Sequence, residues 1–273
     1  MNAIQKISIT EVDTSALEKY IMSINLRIDG LSFVIQNIDK KTVHMESFEW
    51  LNATNWDKSL QNLTVLFKEH DLLKLSFQKH YIFIQSTDSL LIPASMFKPS
   101  KAINLYNQYL GLSNHKVFTK DINHSGSKII LAFGIDQRVE KLISAHYKNI
   151  EWLHFSQTLI THSIKNATNE QELTLQFENN YFEVVALKNH KLEAHNYFTF
   201  SSSEEFMFNL LSFIKQIGLD IKILHIKLQG KITKASSLQV LIEKYVINVS
   251  LEQGNISKEA AFNDLIRATN ENR

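Results

Sequence analysis

Apolar and polar residues alternate at Ile24, Leu26 and Ile28, and after Asp29-Gly30 the alternation resumes at Leu31, Phe33 and Ile35. A period of two marks a half-buried strand, and Asp-Gly between two such runs is the chemistry of a tight hairpin. A third strand is predicted over Thr42 to Trp50, after the polar turn Asn37 to Lys41. The period then changes: Leu60, Leu63, Leu66 and Phe67 recur at helical spacing, with Asn55 or Asp57 able to cap the helix start. Tyr81-Ile82-Phe83-Ile84, an apolar run rich in strand formers, predicts a buried central strand.

About 150 residues further on the same order returns. Leu173, Leu175 and Phe177 alternate, the turn Glu178-Asn179-Asn180 follows, and Phe182, Val184 and Ala186 alternate again. A third strand is predicted from Leu192 to Phe200. Ser202 with Glu205 then forms a capping-box pattern before the helix of Phe206, Met207, Leu210, Leu211 and Ile214, and Ile221 to Leu228 supplies the apolar strand. A β-β-β-α-β order thus occurs twice, predicting an α/β protein of two similar subdomains, 1–168 and 169–273. Between the repeats lie a segment flanked by Pro93 and Pro99, a helix over Ala102 to Leu110 and a strand over Lys128 to Gly134. Helices from Asp136 and Ser156 follow, separated by a strand over Ile150 to Phe155. After the second repeat come a helix at Leu238, Leu241 and Ile242 and a strand over Tyr245 to Val249. A last amphipathic helix, at Ala261, Leu265 and Ile266, is expected to close the second subdomain, with a tail from Thr269 to Arg273 that frays.

Composition narrows the chemistry. The 273 residues carry 29 Lys and Arg against 28 Asp and Glu, so a net charge of +1 gives no global pull towards nucleic acid. With no cysteine, disulfides, thiol nucleophiles and cysteine-ligated zinc are excluded. No apolar run approaches the ~18 residues of a membrane span, and no secretory pattern opens the chain, so the expected compartment is the cytoplasm.

Two tandem β-β-β-α-β units resemble the duplicated ribonuclease-H-like core of the actin and sugar-kinase superfamily. More specifically, Leu72 to Phe77, Tyr81 to Ile84, Leu91 to Phe97, Ile129 to Phe133 and Ile150 to Ser156 resemble an uncharacterised bacterial family, of Bacteroidetes type, assigned an actin-like ATPase fold. The resemblance implies two ribonuclease-H-like subdomains with a central cleft. In that superfamily nucleotide is held by a phosphate turn in each hairpin, built on Asp-x-Gly, and by a glycine-rich turn near the adenosine. Glycine lets backbone N–H groups approach phosphate, and aspartate holds Mg²⁺. Here Asp29-Gly30 with Ser32 keeps an acid, a glycine and a hydroxyl but loses the spacer residue. The second turn, Asn179-Asn180, is followed by the bulky Tyr181, and Gly230 is the one glycine of Leu228 to Ile232. The leading expectation is therefore a binding or scaffold protein with an unknown protein partner and no required cofactor. The alternative is a switch or ATPase that holds ATP and Mg²⁺ through Asp29, Gly30, Ser32, Asn179, Asn180 and Gly230. Against any ligand role, Asp29-Gly30 also reads as a turn whose glycine supplies a positive φ, and Asn179-Asn180 as residues that tolerate left-handed backbone.

Other motifs read as structural. His146, His154 and His162 recur every eighth residue but fall on a helix, a strand and a helix, so they share no face, and no His-Glu-x-x-His occurs. Glu204-Glu205 sits where a helix N-terminus favours negative charge. Phe206, Phe208 and Phe213 surround one helix and predict burial on several sides. Sequons such as Asn52 and Asn248 would matter only in a secreted protein. No Gly-x-Ser-x-Gly elbow, P-loop or Gly-x-Gly-x-x-Gly fingerprint occurs, and no acidic cluster of the nucleic-acid-processing kind assembles on the predicted strands.

Overall fold

The computed structural model describes residues 5–50, 53–124, 127–252 and 262–273. In chain order the elements are β1 (Gln5–Ser8), β2 (Tyr20–Arg27), β3 (Gly30–Asn37), β4 (Thr42–Glu49), α1 (Trp56–Glu69) and β5 (Lys79–Ile84). An insertion follows: β6 (Ser89–Pro93), α2 (Ala102–Leu110), β7 (His115–His124), β8 (Ser127–Asp136) and α3 (Gln137–His146). Then come β9 (Ile150–His154), α4 (Phe155–Lys165), β10 (Gln171–Phe177), β11 (Tyr181–Lys188) and β12 (Lys191–Thr199). The chain closes with α5 (Ser203–Gln216), β13 (His225–Gly230), α6 (Ser237–Glu243), β14 (Asn248–Leu251) and α7 (Asn263–Glu271).

The chain divides into two units, one of Met1–Ile122, Lys128–Gln157 and Ile256–Arg273, the other of Asn123–Ser127 and Thr158–Asn255. The first sheet runs β1-β4-β3-β2-β5-β9 and the second β12-β11-β10-β13-β14. Apart from the extra edge strand β1, the two orders are the same. In each an antiparallel meander of three strands is followed by two strands parallel to the first of the meander. A third sheet, β6-β8-β7, comes from the insertion, and Ile92, Tyr106, Ile130 and Ala132 form its core.

The centre of the first sheet is buried on both faces. Along β2 every residue from Met22 to Asn25 is under a tenth exposed, so Ile24 and Leu26 face one layer while Ser23 and Asn25 face another. That second layer is α7, whose Leu265 and Ala268, with Phe262 just before the helix, pack on Val34, Met45, Tyr81, Phe83 and Leu153. The final helix, placed by the sequence pattern with the second half, thus belongs to the first unit. Nor does its end fray: Thr269 is fully buried and donates to Ser23 Oγ at 2.7 Å, and Tyr81 donates its hydroxyl to the carbonyl of Asn272 at 2.9 Å. Ala261, counted in that helix from its sequence, lies outside the described residues, as does the sequon at Asn52.

In the second unit, Leu173, Leu175, Phe177, Phe182 and Val184 pack against Phe206, Leu210, Phe213 and Ile214 of α5. Ser202 caps α5 by accepting from the Glu205 amide at 3.2 Å, but the returning Glu205 carboxylate reaches Ser201 instead. Phe208 is 71% exposed, so the aromatics do not ring α5 as predicted; the outward face keeps one. β13 begins four residues later than its apolar run, because amides of Ile223 and Leu224 close a turn onto Asp220. β14 likewise starts at Asn248, after Tyr245 and Val246 have turned back onto Ile242.

Candidate functional site

The two hairpins predicted from the sequence are held by different local contacts. In the first, Arg27 pairs with Gly30, leaving Ile28 and Asp29 as the two turn residues. Gly30 therefore opens β3 and has no positive φ, which corrects the expectation of a left-handed glycine. Close approach is what requires it: a Cβ there would come within 2.5 Å of the Phe48 carbonyl and of an Arg27 guanidinium nitrogen.

Register explains how Arg27 comes to sit over the turn. Gly30 lies between Arg27 and Glu49, and Ser32 between Asn25 and Ser47, so these positions share one face of the sheet. From that face Arg27 donates to Asp29 Oδ1 at 3.2 Å through Nε and to Ser32 Oγ at 3.1 Å through Nη1, and Glu49 Oε1 lies 3.9 Å from Nη2. Ser32 and Ser47 share a further hydrogen bond of 3.0 Å. The turn is pinned from behind as well. The Ile28 carbonyl accepts from Trp50 Nε1 at 2.6 Å and from the Ser59 hydroxyl, and the Trp50 amide donates to the Asp29 carbonyl at 2.9 Å. Of the residues predicted here, Asp29, Gly30 and Ser32 do come together. The organising residue, Arg27, was missed, as were Trp50 and Ser59. The signal for Arg27 was present in its strand register: a cation two residues before the acid and directly opposite the glycine.

The second hairpin is built otherwise. Phe177 pairs with Phe182, and the Glu178 amide donates to the Tyr181 carbonyl at 2.9 Å, so Asn179 and Asn180 form an exposed tip. Neither asparagine takes a positive φ; the left-handed pair, Asn189 and His190, belongs to the next hairpin instead. Gly230 ends β13 with φ +83°, which a side chain would strain, and its missing Cβ leaves room for the Phe177 carbonyl and the Gln176 amide. The Lys231 amide donates to that same carbonyl at 2.8 Å, and Lys231 Nζ lies 3.4 Å from Glu178. Gly230 is thus joined to the base of the hairpin, while Asn179 and Asn180 are exposed at its tip.

Phosphate and Mg²⁺ ask for free backbone N–H groups and free carboxylate oxygens. Asp29 offers its carboxylate to Arg27, and a metal ion would compete with a guanidinium for it. Among the described residues no three His, Asp or Glu side chains are placed to hold a metal. No helix among them is long and apolar enough to cross a membrane.

Comparison with known proteins agrees with this architecture. Residues 9–249 match the family "Protein of unknown function (DUF3822)", and the chain belongs to that family. A crystal structure from Bacteroides thetaiotaomicron, a protein with actin-like ATPase fold and unknown function, is similar at TM-score 0.80 and 21% identity. The likeness covers 94% of this chain and 99% of that one. The PilM–PilN type IV pilus biogenesis complex contains a chain similar at TM-score 0.52 and 11% identity, over 90% of this chain and 97% of that one. No curated protein matches the chain. These likenesses establish the actin-like ATPase fold.

Proposed function

We propose that this member of the unknown-function family is a cytoplasmic binding or scaffold protein whose partner is another protein, built on an actin-like ATPase fold that is non-catalytic at its nucleotide site. The observation that carries the reading is Arg27. Its guanidinium holds Asp29 and Ser32, two of the three first-hairpin groups a Mg²⁺-nucleotide would need, and lies in the space above the third, Gly30. The second tip supports the same reading, since Asn179 and Asn180 are followed by the large ring of Tyr181. That a similar chain occurs in the PilM–PilN complex lends support to a protein partner.

A second reading, a switch that binds nucleotide or a related phosphorylated ligand through Asp29, Gly30, Ser32, Asn179, Asn180 and Gly230, draws on one observation. Gln229, beside Gly230, is 3% exposed, and neither atom of its amide has a hydrogen-bond partner among the described residues. Thermal unfolding with ATP, ADP and GTP, each with and without Mg²⁺, separates the two. A ligand at ~100 times its Kd adds about 2.7 kcal/mol of stability, and roughly 2–4 °C accompanies each kcal/mol in a protein of this size. The expected shift is nil. A Mg²⁺-dependent shift that Asp29→Ala abolishes would replace the binding-protein reading with the switch.

A further inference from the structure

Away from both hairpins, one cluster joins a hydroxyl, an imidazole and a carboxylate. Across the β1–β4 ladder Ser8 stands opposite His44 and Lys6 opposite Glu46. Residues two apart on a strand share a face, so all four side chains project from the same side. Ser8 Oγ lies 2.7 Å from His44 Nδ1, and His44 Nε2 lies 2.6 Å from Glu46 Oε1. His70, just beyond α1, brings Nε2 to 2.8 Å from the other carboxylate oxygen, and Lys6 Nζ lies 2.8 Å from Oε1. His44 and Glu46 are buried and the imidazole stacks on Phe33 at 5.8 Å, whereas Ser8 is exposed on the edge strand.

The chemistry of the three groups fixes their roles. Burial raises the Glu46 pKa, but hydrogen bonds from His44, His70 and Lys6 outweigh it and hold the carboxyl well below the usual range. An ionised carboxylate only accepts, so His44 Nε2 carries the proton it donates to Glu46. In the neutral ring Nδ1 then presents its lone pair to the Ser8 hydroxyl. A hydroxyl within reach of a base whose other nitrogen is fixed by a third group is the arrangement that activates a nucleophile. The charged and titratable groups facing the site are Lys6, Glu46 and His70, and both Lys6 and His70 lie against Glu46.

We propose that Ser8 is an acyl-accepting nucleophile for carboxylic ester substrates, with His44 as its general base and Glu46 as the residue that positions the imidazole. Ser8 Oγ bonds to the ester carbonyl carbon while its proton passes to His44 Nδ1. The carbon–oxygen bond to the leaving alcohol then breaks, and the alcohol takes that proton from His44, leaving O-acyl-Ser8. Water repeats the sequence on the acyl-serine, releasing the carboxylic acid and restoring the hydroxyl. Bonds and protons balance with ester and water alone.

The test uses the full chain with p-nitrophenyl acetate and, separately, an alkyl fluorophosphonate, the adduct being mapped by peptide mass spectrometry. A single adduct on Ser8 is expected, absent in Ser8→Ala, unchanged in Thr10→Ala and at least ~10-fold slower in His44→Gln, the lower end of what a positioned base contributes being nearer ~100-fold. Because His44 is buried and its replacement strains the edge strand, a second measurement leaves it in place. The thiol of Ser8→Cys should react with iodoacetamide at pH 7 at least ~10-fold faster than that of Thr10→Cys, with a lower midpoint in its rate–pH profile. Adding Glu46→Gln should move that midpoint back up, which loss of packing alone would not do. Adducts scattered over other serines, no adduct at Ser8, or equal rates for the two thiols would overturn the proposal.

Discussion

Acidification from pH 7 to 4 is expected to remove about 3 kcal/mol of folding stability at His80 alone. The ring is fully buried in the first unit, stacked on Tyr147 with centroids 3.9 Å apart, and its Nε2 accepts from the Phe77 amide at 3.3 Å. Burial disfavours the imidazolium and pushes the pKa down to about 4 from 6.5. The unfolded chain therefore binds the proton first. Stability attributable to this residue is fully present above pH 6.5 and is lost as pH falls towards the folded value. The loss reaches about 2 kcal/mol at pH 5 and about 3 at pH 4, at 1.36 kcal/mol per pKa unit. The assay is urea unfolding of wild type and His80→Gln at pH 7, 5 and 4. Glutamine does not titrate, so the variant, whatever its absolute stability, should lose about 3 kcal/mol less than wild type over this range. Equal losses would refute the reasoning and show that the buried ring protonates without cost.

Three further outcomes are expected. Gly30→Ala should destabilise by about 1–3 kcal/mol in urea unfolding, because the new methyl meets the Phe48 backbone carbonyl at 2.5 Å and the strand must shift; a loss below about 0.5 kcal/mol would show that the approach relaxes freely. Leu265→Ala, which opens the contact of α7 with the first sheet, should lower stability by about 2–5 kcal/mol and deprotect the amides of α7 to hydrogen exchange. Ala235 holds φ +59°, a left-handed conformation that costs a side chain about 1 kcal/mol, so Ala235→Gly should raise the denaturation midpoint by a gain of about 0.5 kcal/mol.

Local patterns carried the meanders, α1 and α5 into the sequence, because each buries one face against one layer and so leaves a regular period. Elements whose partners are remote left no such trace. β1 is four residues, Gln5–Ser8, with one apolar side chain, and β7 interleaves Lys116, Lys120 and Asp121 with Val117 and Phe118. The placement of α7 depends on Ser23, Val34 and Tyr81, more than 180 residues earlier in the chain, and no periodicity reports such a distance. At the candidate site, Asp29, Gly30 and Ser32 were legible as a turn, but their meaning turned on Arg27, whose pattern reads merely as the polar member of an alternation. The same limit hid Ser8, His44 and Glu46. His-x-Glu on a strand puts two side chains on one face, yet the hydroxyl arrives from an unpredicted strand 36 residues away.

Under the proposed reading, the first hairpin is a turn whose polar groups find partners within the chain. A phosphate-binding turn leaves backbone donors and a carboxylate waiting for an anion and its metal, and so is stable only when solvated or filled. Here the Ile28 carbonyl accepts from Trp50 and Ser59, the Trp50 amide is bound to the Asp29 carbonyl, and the Asp29 carboxylate has Arg27. The two carbonyls of the turn and the Asp29 carboxylate thus meet partners within the chain, from β2, from α1 and from the residue after β4. Arg27 stands beside the acid at the place a cation would take, with its own side chain 13% exposed and that of Asp29 48% exposed, so solvent screens the pair in part. Binding Mg²⁺ at Asp29 would therefore mean drawing the carboxylate away from Arg27, a competition that the metal would have to win.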